Sequence, residues 1–174
     1  LEIGEAVKEA DIVGLCKVYN IEINPSLIRH WSDRLRIYRA SGFTEKAFDD
    51  YDVDIRTEAY RTLGFTEKAF DDSSWGIRRE AYRSLGFTEK AFDDREYSIR
   101  REAYRRLGYT EKALNDVDWD IRLEAYRSLG FTEKAFDDRD EDIRREAKKY
   151  FKMKKKYTEE EAKKIVDLWK LEKL

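Results

Sequence analysis

The chain has 174 residues, 43% of them charged and 41% hydrophobic, and 36 Lys and Arg against 38 Asp and Glu leave a net charge of -2. No window approaches the roughly 18 apolar residues of a membrane span. A pI near 5.7 argues against a phosphate-binding groove made by the chain as a whole, because such a groove needs an excess of basic charge. The single cysteine, Cys16, rules out an internal disulfide and a multi-Cys metal site.

Gln is absent, Asn occurs three times, and Cys and Met once each. That profile resembles proteins of thermophiles, in which Lys, Arg and Glu replace heat-labile residues and form surface ion-pair networks. No signal-peptide pattern is visible, so a soluble, cytoplasmic protein is expected.

A 22-residue period runs through most of the chain. Gly42, Gly64, Gly86, Gly108 and Gly130 recur at that spacing, as do Tyr38, Tyr60, Tyr82, Tyr104 and Tyr126, and Thr44, Thr66, Thr88, Thr110 and Thr132. A short fixed period signals an α-solenoid, whose units bury their apolar faces only against their neighbours. In chain order, residues 1–29 align as a diverged N-terminal cap: Asn20 falls on the Gly position, Ile21 on the Phe position, and Asn24 and Pro25 open a second helix. Cys16 reads as a small apolar residue of this cap. The first clear unit begins at His30, with Trp31, Arg34 and Tyr38 on the positions of Trp119, Arg122 and Tyr126, although Asp33 stands where Ile is expected.

Five units then fill residues 30–142, each predicted as two helices. In the first helix, Ile55, Ala59 and Leu63 recur at i, i+4 and i+8 as one apolar stripe; Asp52 caps its start, and Gly64 ends it in a left-handed conformation. The same grammar returns from Ser74 to Gly86 and from Asp118 to Gly130. The second helix is short. Thr44 is its expected N-cap, and Phe43 and Phe48 have the spacing of a hydrophobic staple, repeated as Phe65/Phe70, Phe87/Phe92, Tyr109/Leu114 and Phe131/Phe136. Residues 143–174 are predicted to cap the array. The helix from Ile143 should run to about Lys155, and Thr158 with Glu161 should form a capping box for an amphipathic helix carrying Ala162, Ile165, Val166 and Trp169. Both ends are therefore expected to be sealed.

The segment DVDWDIRLEAYRSLGFTEKAFDD, residues 116–138, resembles the leucine-rich repeat variant, a relative of HEAT repeats. The matching positions are Asp118, Trp119, Ile121, Arg122, Ala125 and Thr132. The likeness covers roughly residues 30–150 and implies a right-handed superhelix of stacked helix pairs. Two features depart from the family: the unit is shorter than usual, and the Cys cluster found beside some variant repeats is absent.

The residues give little support to catalysis. HEAT-like hydroxylases bind two irons through His-Glu pairs, and the only histidine here is His30. HEAT-like DNA glycosylases use a catalytic Asp in an aromatic cleft, but nothing distinguishes one Asp from its repeats. No phosphate loop or zinc-spaced ligand set is present. No catalytic residue, cofactor or metal is therefore expected, and the chain reads as a non-catalytic interaction module.

Several columns are candidates for its surface. Arg34, Arg56, Arg78, Arg100, Arg122 and Arg144 could track phosphates or, as the stronger reading, pair with Asp49/Asp50, Asp71/Asp72, Asp93/Asp94 and Asp137/Asp138. Arg39, Arg61, Arg83, Arg105 and Arg127 read as a solvated column near the helix ends. The column Trp31, Val53, Trp75, Tyr97, Trp119 and Glu141 varies while its neighbours stay fixed, so it can carry specificity or cover the seams between units. Trp75, Tyr97 and Trp119, together with Lys46, Lys68, Lys90, Lys112 and Lys134 of the second helices, are the candidate contacts for a protein or peptide partner. The rival reading is nucleic acid. From Ile143 to Leu174 there are 12 Lys or Arg against 6 Asp or Glu, and Lys152, Lys154, Lys155 and Lys156 would be the contacts. VYNIEINPSLIRHW also resembles a helix-turn-helix with Asn24 to Trp31 as recognition helix. No membrane partner is expected, and the chain is expected to be a monomer or a weak dimer.

Overall fold

The computed structural model describes residues 14, 15, 18 and 23–171. Most of the expected N-terminal cap, including Cys16, Asn20 and Ile21, lies outside the described residues. Among the described residues the fold is all-α: seven α-helices alternate with short 3-10 helices. The α-helices are α1 Trp31–Ser41, α2 Val53–Leu63, α3 Trp75–Leu85, α4 Tyr97–Leu107, α5 Trp119–Leu129, α6 Glu141–Lys156 and α7 Glu159–Leu171. The 3-10 segments are η1 Pro25–Leu27, η2 Glu45–Asp49, η3 Glu67–Asp71, η4 Glu89–Asp93, η5 Glu111–Asn115 and η6 Glu133–Asp137.

Contacts divide the chain into two units, Leu1–Gly86 and Phe87–Leu174. In the first, η1, η2 and η3 pack on α1, α2 and α3; in the second, η4, η5 and η6 pack on α4, α5 and α6. Each 3-10 segment thus covers the helix that follows it, which is a solenoid-like repeat.

The second element of each repeat differs from the α-helix expected. Five residues are too few to nucleate an α-helix, and the chain instead closes a 3-10 turn in which the Ala47 N–H donates to the Thr44 carbonyl at 2.9 Å, repeated from Ala69 to Thr66 and from Ala91 to Thr88. None of the five threonines makes a side-chain cap bond. Several of the phenylalanines stack on tyrosines, and Phe136 meets Phe151 at 5.0 Å. Phe48 lies 4.2 Å from Tyr60, and Tyr60 lies 5.5 Å from Phe65, all nearly parallel. Phe92, Tyr104 and Tyr109 repeat the stack at 4.3 and 5.7 Å. Offset stacks of this kind add about 0.5–1.5 kcal/mol each beyond the area they bury.

The core differs from the expected stripe. Ile55, Ala59, Ile99, Ala103, Ile121 and Ala125 are buried as expected, but the third member is tyrosine: Tyr60, Tyr82, Tyr104 and Tyr126 are 1% exposed, whereas Leu63, Leu85, Leu107 and Leu129 are 43–47% exposed. The reason is height along the helix rather than angle around it. A five-residue 3-10 segment is about 10 Å long and covers only part of an 11-residue helix, about 16 Å long. The last turn, with its leucine, projects past the cover. In α1, Leu35 and Ile37 supply the core that Asp33 cannot.

Helix ends follow the sequence in part. Asp52 accepts from the amides of Asp54 and Ile55, and Asp140 from those of Asp142 and Ile143, as expected for caps. Ser74 and Asp118 make no cap bond; the Asp118 carboxylate is drawn to Arg100 instead. Gly64 and Gly108 have φ of 96° and 98°, but ψ near 150° takes them out of the left-handed helical region into one that is nearly glycine-only. At the N-terminal end the expected recognition helix is only the three-residue η1, followed by α1 from Trp31. At the C-terminal end α6 reaches Lys156, and the capping box forms: the Thr158 amide donates to the Glu161 carboxylate at 2.8 Å, and the Glu161 amide to Thr158 Oγ1 at 3.3 Å. That end is not sealed, however, because no residue of α7 is buried.

Burial, reinforced by the charges of Asp116 and Asp93, pushes the Tyr104 phenol up to about 12 from its ordinary 10.0. Burial raises Tyr38, Tyr60 and Tyr126 in the same direction. An acid whose folded value lies above its unfolded one stabilises the fold fully below the unfolded value, and the contribution is lost as pH rises through the folded one. The unfolding midpoint should therefore hold up to pH about 10 and fall between about 10 and 12. Tyrosinate absorbance should rise with unfolding rather than before it. Free titration of all tyrosines near pH 10, with the helices intact, would contradict this core.

Candidate functional site

Charged side chains organise the described surface, and the Arg column comes first because it is buried. Arg56 donates from Nε and Nη2 to the two carboxylate oxygens of Asp72 at 2.9 and 3.0 Å, and Nη1 donates to the Asp50 carbonyl at 2.8 Å. Arg100 holds Asp116 and the Asp94 carbonyl in the same way, all at 2.9 Å, and Arg122 holds Asp138 and the Asp116 carbonyl, also at 2.9 Å. Arg34 forks onto Asp50, reaches the Ile28 and Arg29 carbonyls, and stacks on Tyr51. Each of these aspartates also accepts the amide two residues on: Asp52 to Asp50, Asp118 to Asp116 and Asp140 to Asp138. Arg34, Arg56, Arg100 and Arg122 are the structural ladder that the sequence favours, each with a bidentate fork, while Arg78 and Arg144 donate to the Asp72 and Asp138 carbonyls. At the four forked positions the nitrogens face carboxylates rather than solvent, which removes the phosphate-tracking alternative there.

In these turns the second acidic residue takes the buried Arg of the preceding helix, at Asp50, Asp72, Asp116 and Asp138, and at two of them the first, Asp49 or Asp93, takes a surface lysine of a following turn. Lys68 bonds Asp49 at 2.7 Å, Lys112 bonds Asp93 at 2.6 Å, and Lys134 bonds Asn115 at 2.7 Å. Lys68, Lys112 and Lys134 thus already span neighbouring turns, and all five candidate lysines are exposed. Exposed pairs of this kind contribute about 0–1 kcal/mol, so a partner's carboxylate could compete for them. In the outer Arg column, Arg39 forms a two-point pair with Glu58 at 2.7 Å, and Arg127 reaches Glu124 at 3.0 Å; all are at the surface.

The aromatic column stands apart from these networks. Trp31, Val53 and Trp75 in the first unit, and Tyr97 and Trp119 in the second, are 42–48% exposed. Each opens its helix at the edge of the buried face, half against the protein and half in solvent. The Arg79 guanidinium sits 5.0 Å above the Trp75 ring. The exposed leucine column at the other end of the helices is the surface that sequence reasoning missed, because those leucines have the right angular position for a core. A comparison of element lengths, five residues against eleven, was the available signal.

Lys152, Lys154, Lys155 and Lys156 lie in the last two turns of α6, all exposed, and Lys156 rests 4.9 Å from the Tyr157 ring. Among the described residues no group of three or more His, Cys, Asp or Glu is placed to hold a metal ion, and no helix is long and apolar enough to cross a membrane.

No family model, curated protein or solved structure matches this chain. The resemblance to the leucine-rich repeat variant therefore stands on the residues that carry it.

Removing one side of a buried ion pair leaves the other charge uncompensated and costs about 3–5 kcal/mol. Arg100→Ala is expected to lose that much in urea unfolding, while Arg105→Ala, in the exposed column, should stay within about 0.5 kcal/mol of the parent. Equal effects from the two would show that the ladder is idle. At acid pH, burial alone would raise Asp138, but the Arg122 fork and the Asp140 amide overcome it and hold the carboxyl below 3.8. Stability should thus be present above about pH 3.8 and be lost as pH falls further through the folded value. Arg122→Met should flatten that loss.

Proposed function

We propose that the repeats act as a non-catalytic interaction module for another protein or peptide, with Trp75, Tyr97 and Trp119 as its anchors. The observation that carries this reading is the half-exposed aromatic column, which changes identity from repeat to repeat while the buried residues around it change little. Half-buried Trp and Tyr are the side chains that binding hot spots favour, because they bring large rigid area at low entropic cost. The non-catalytic reading is supported by the fate of the acidic groups. Asp50, Asp72, Asp116 and Asp138 are tied into forks, and Asp52 and Asp140 into caps. None of these is left as an acid or base over a cleft.

The second reading, nucleic acid, rests on the exposed run Lys152, Lys154, Lys155 and Lys156 against the chain's net charge of -2. A soluble location in the cytoplasm fits both readings.

The test is affinity capture from a lysate of the source organism, with and without nuclease, using three proteins: the parent, Trp75→Ala/Tyr97→Ala/Trp119→Ala, and Lys154→Glu/Lys155→Glu/Lys156→Glu. A stoichiometric protein that survives nuclease, is lost from the aromatic variant and is kept by the charge-reversed one is the expected result. Each anchor should contribute about 2 kcal/mol if it is a hot spot; because the three side chains are also about half buried, the variant is compared at a temperature where circular dichroism shows it folded. Recovery of RNA or DNA that only the charge reversal abolishes would sink the protein-binding reading.

A further inference from the structure

We propose that α7 is the contact through which two copies of this chain pair, antiparallel, apolar face to apolar face. The surface is separate from the aromatic column and does not depend on the reading above. Every residue of α7 from Glu159 to Leu171 is exposed, and its 13 residues bury nothing. Each helix from α1 to α5 is shorter, with 11 residues, and buries at least four. Yet α7 is built as a packing helix. It opens on a capping box, and Ala162, Ile165, Val166 and Trp169 follow at i, i+3, i+4 and i+7, with Leu168 beside them. Ile165, Val166 and Trp169 are about half exposed or more. An isolated helix of this length is marginal in water, so the stripe needs a cover.

Size and charge along the stripe point to a second α7. With a two-fold axis passing near Ile165 and Val166, antiparallel pairing sets the small Ala162 opposite the large Trp169 and Ile165 opposite Val166. An isologous pair of this kind closes on itself. Glu159 and Lys170 flank the stripe on the same side, at opposite ends, and the pairing brings each beside the other's copy. Among the described residues Lys170 has a loose partner, Asp167 at 3.7 Å, Glu159 meets the exposed Lys163 at 2.7 Å, and Glu160 and Glu161 add to the acidic end. A parallel pair would instead set Glu159, Glu160 and Glu161 against themselves and leave Ala162 facing Ala162. One helix face lies under the roughly 1,200 Å² of a standard interface, so the dimer is weak and concentration-dependent.

Sedimentation velocity on the full chain across a concentration series tests this. The parent should show a monomer–dimer equilibrium. Trp169→Asp should weaken it about tenfold or more, with helix content and the unfolding midpoint of the repeats unchanged. Because that variant could also melt α7, orientation is tested separately: Glu159→Lys and Lys170→Glu should each weaken the dimer, and the two together should restore it. A parent that stays monomeric at every concentration, or a dimer untouched by Trp169→Asp, would overturn the proposal. So would a monomer whose α7 binds phosphatidylserine vesicles, which would assign the face to a lipid surface. Failure of the double exchange to restore pairing would overturn the antiparallel arrangement.

Discussion

The rest of the structure depends on the fork between a buried arginine and the second aspartate of the turn that follows its helix. Arg56 shows what one such side chain does: it binds the carbonyl of Asp50 in the turn before its own helix and the carboxylate of Asp72 in the turn after it. Asp72 in turn accepts the Ser74 amide, which sets the start of the following helix. Three successive backbone segments are therefore held by one guanidinium. Lysine could not substitute, since the task needs the planar fork and a third donor pointing away from it.

That requirement explains why so short a repeat is workable. An 11-residue helix and a five-residue 3-10 turn have too little apolar surface to stand alone. The rings supply the second bond between repeats: Phe48 of one turn, Tyr60 of the next helix and Phe65 of the turn after it form one stack. The forks and stacks lie within a few residues of each other, so the tyrosine phenol is buried beside the carboxylate of the fork. The raised Tyr104 is one result. The design depends on complete pairing, because a half-satisfied buried network is worse than an apolar one.

Much of this was legible in the sequence, and the parts that were not have identifiable causes. The period, the all-α class, the Arg–Asp ladder, the Asp52 cap and the Thr158–Glu161 box follow from residue type and spacing, which local chemistry controls. The second helices were misread because Thr44 and Phe48 carry α-helical signals that a five-residue segment has no room to express. Leu63 was misread as core because periodicity reports angle around an axis but not where the neighbouring element stops. Tyr60, one position past Ala59, is instead the residue that the Phe stack encloses. Asp118 has the identity of a cap but lies within reach of Arg100, and a buried guanidinium outcompetes a backbone amide for a carboxylate. For the candidate site, the exposure of the aromatic column and of the α6 lysines agrees with their positions outside the stripe. The inter-repeat role of Lys68, Lys112 and Lys134 could not be seen, because it depends on the spacing between turns.

The columns that do not vary now have structural occupations. Arg34, Arg56, Arg100 and Arg122 fork onto second aspartates, Asp49 and Asp93 meet lysines, tyrosines and phenylalanines stack, and the glycines hold a backbone that other residues resist. Among the positions that differ between otherwise similar repeats are Trp31, Val53, Trp75, Tyr97 and Trp119 at the helix starts, and Tyr51, Ser73, Arg95, Val117 and Arg139 in the turns before them. The two sets lie two residues apart in every repeat, Tyr51 with Val53 and Val117 with Trp119, and both reach solvent. The constant residues hold the framework, and some variable ones add to it: Tyr51 stacks on Arg34, Ser73 accepts from Arg56, and Arg139 donates to the Asp116 carbonyl. In the proposed interaction module, changes at the helix starts therefore leave the forks and stacks behind them in place, whereas changes in the turns also touch the rungs.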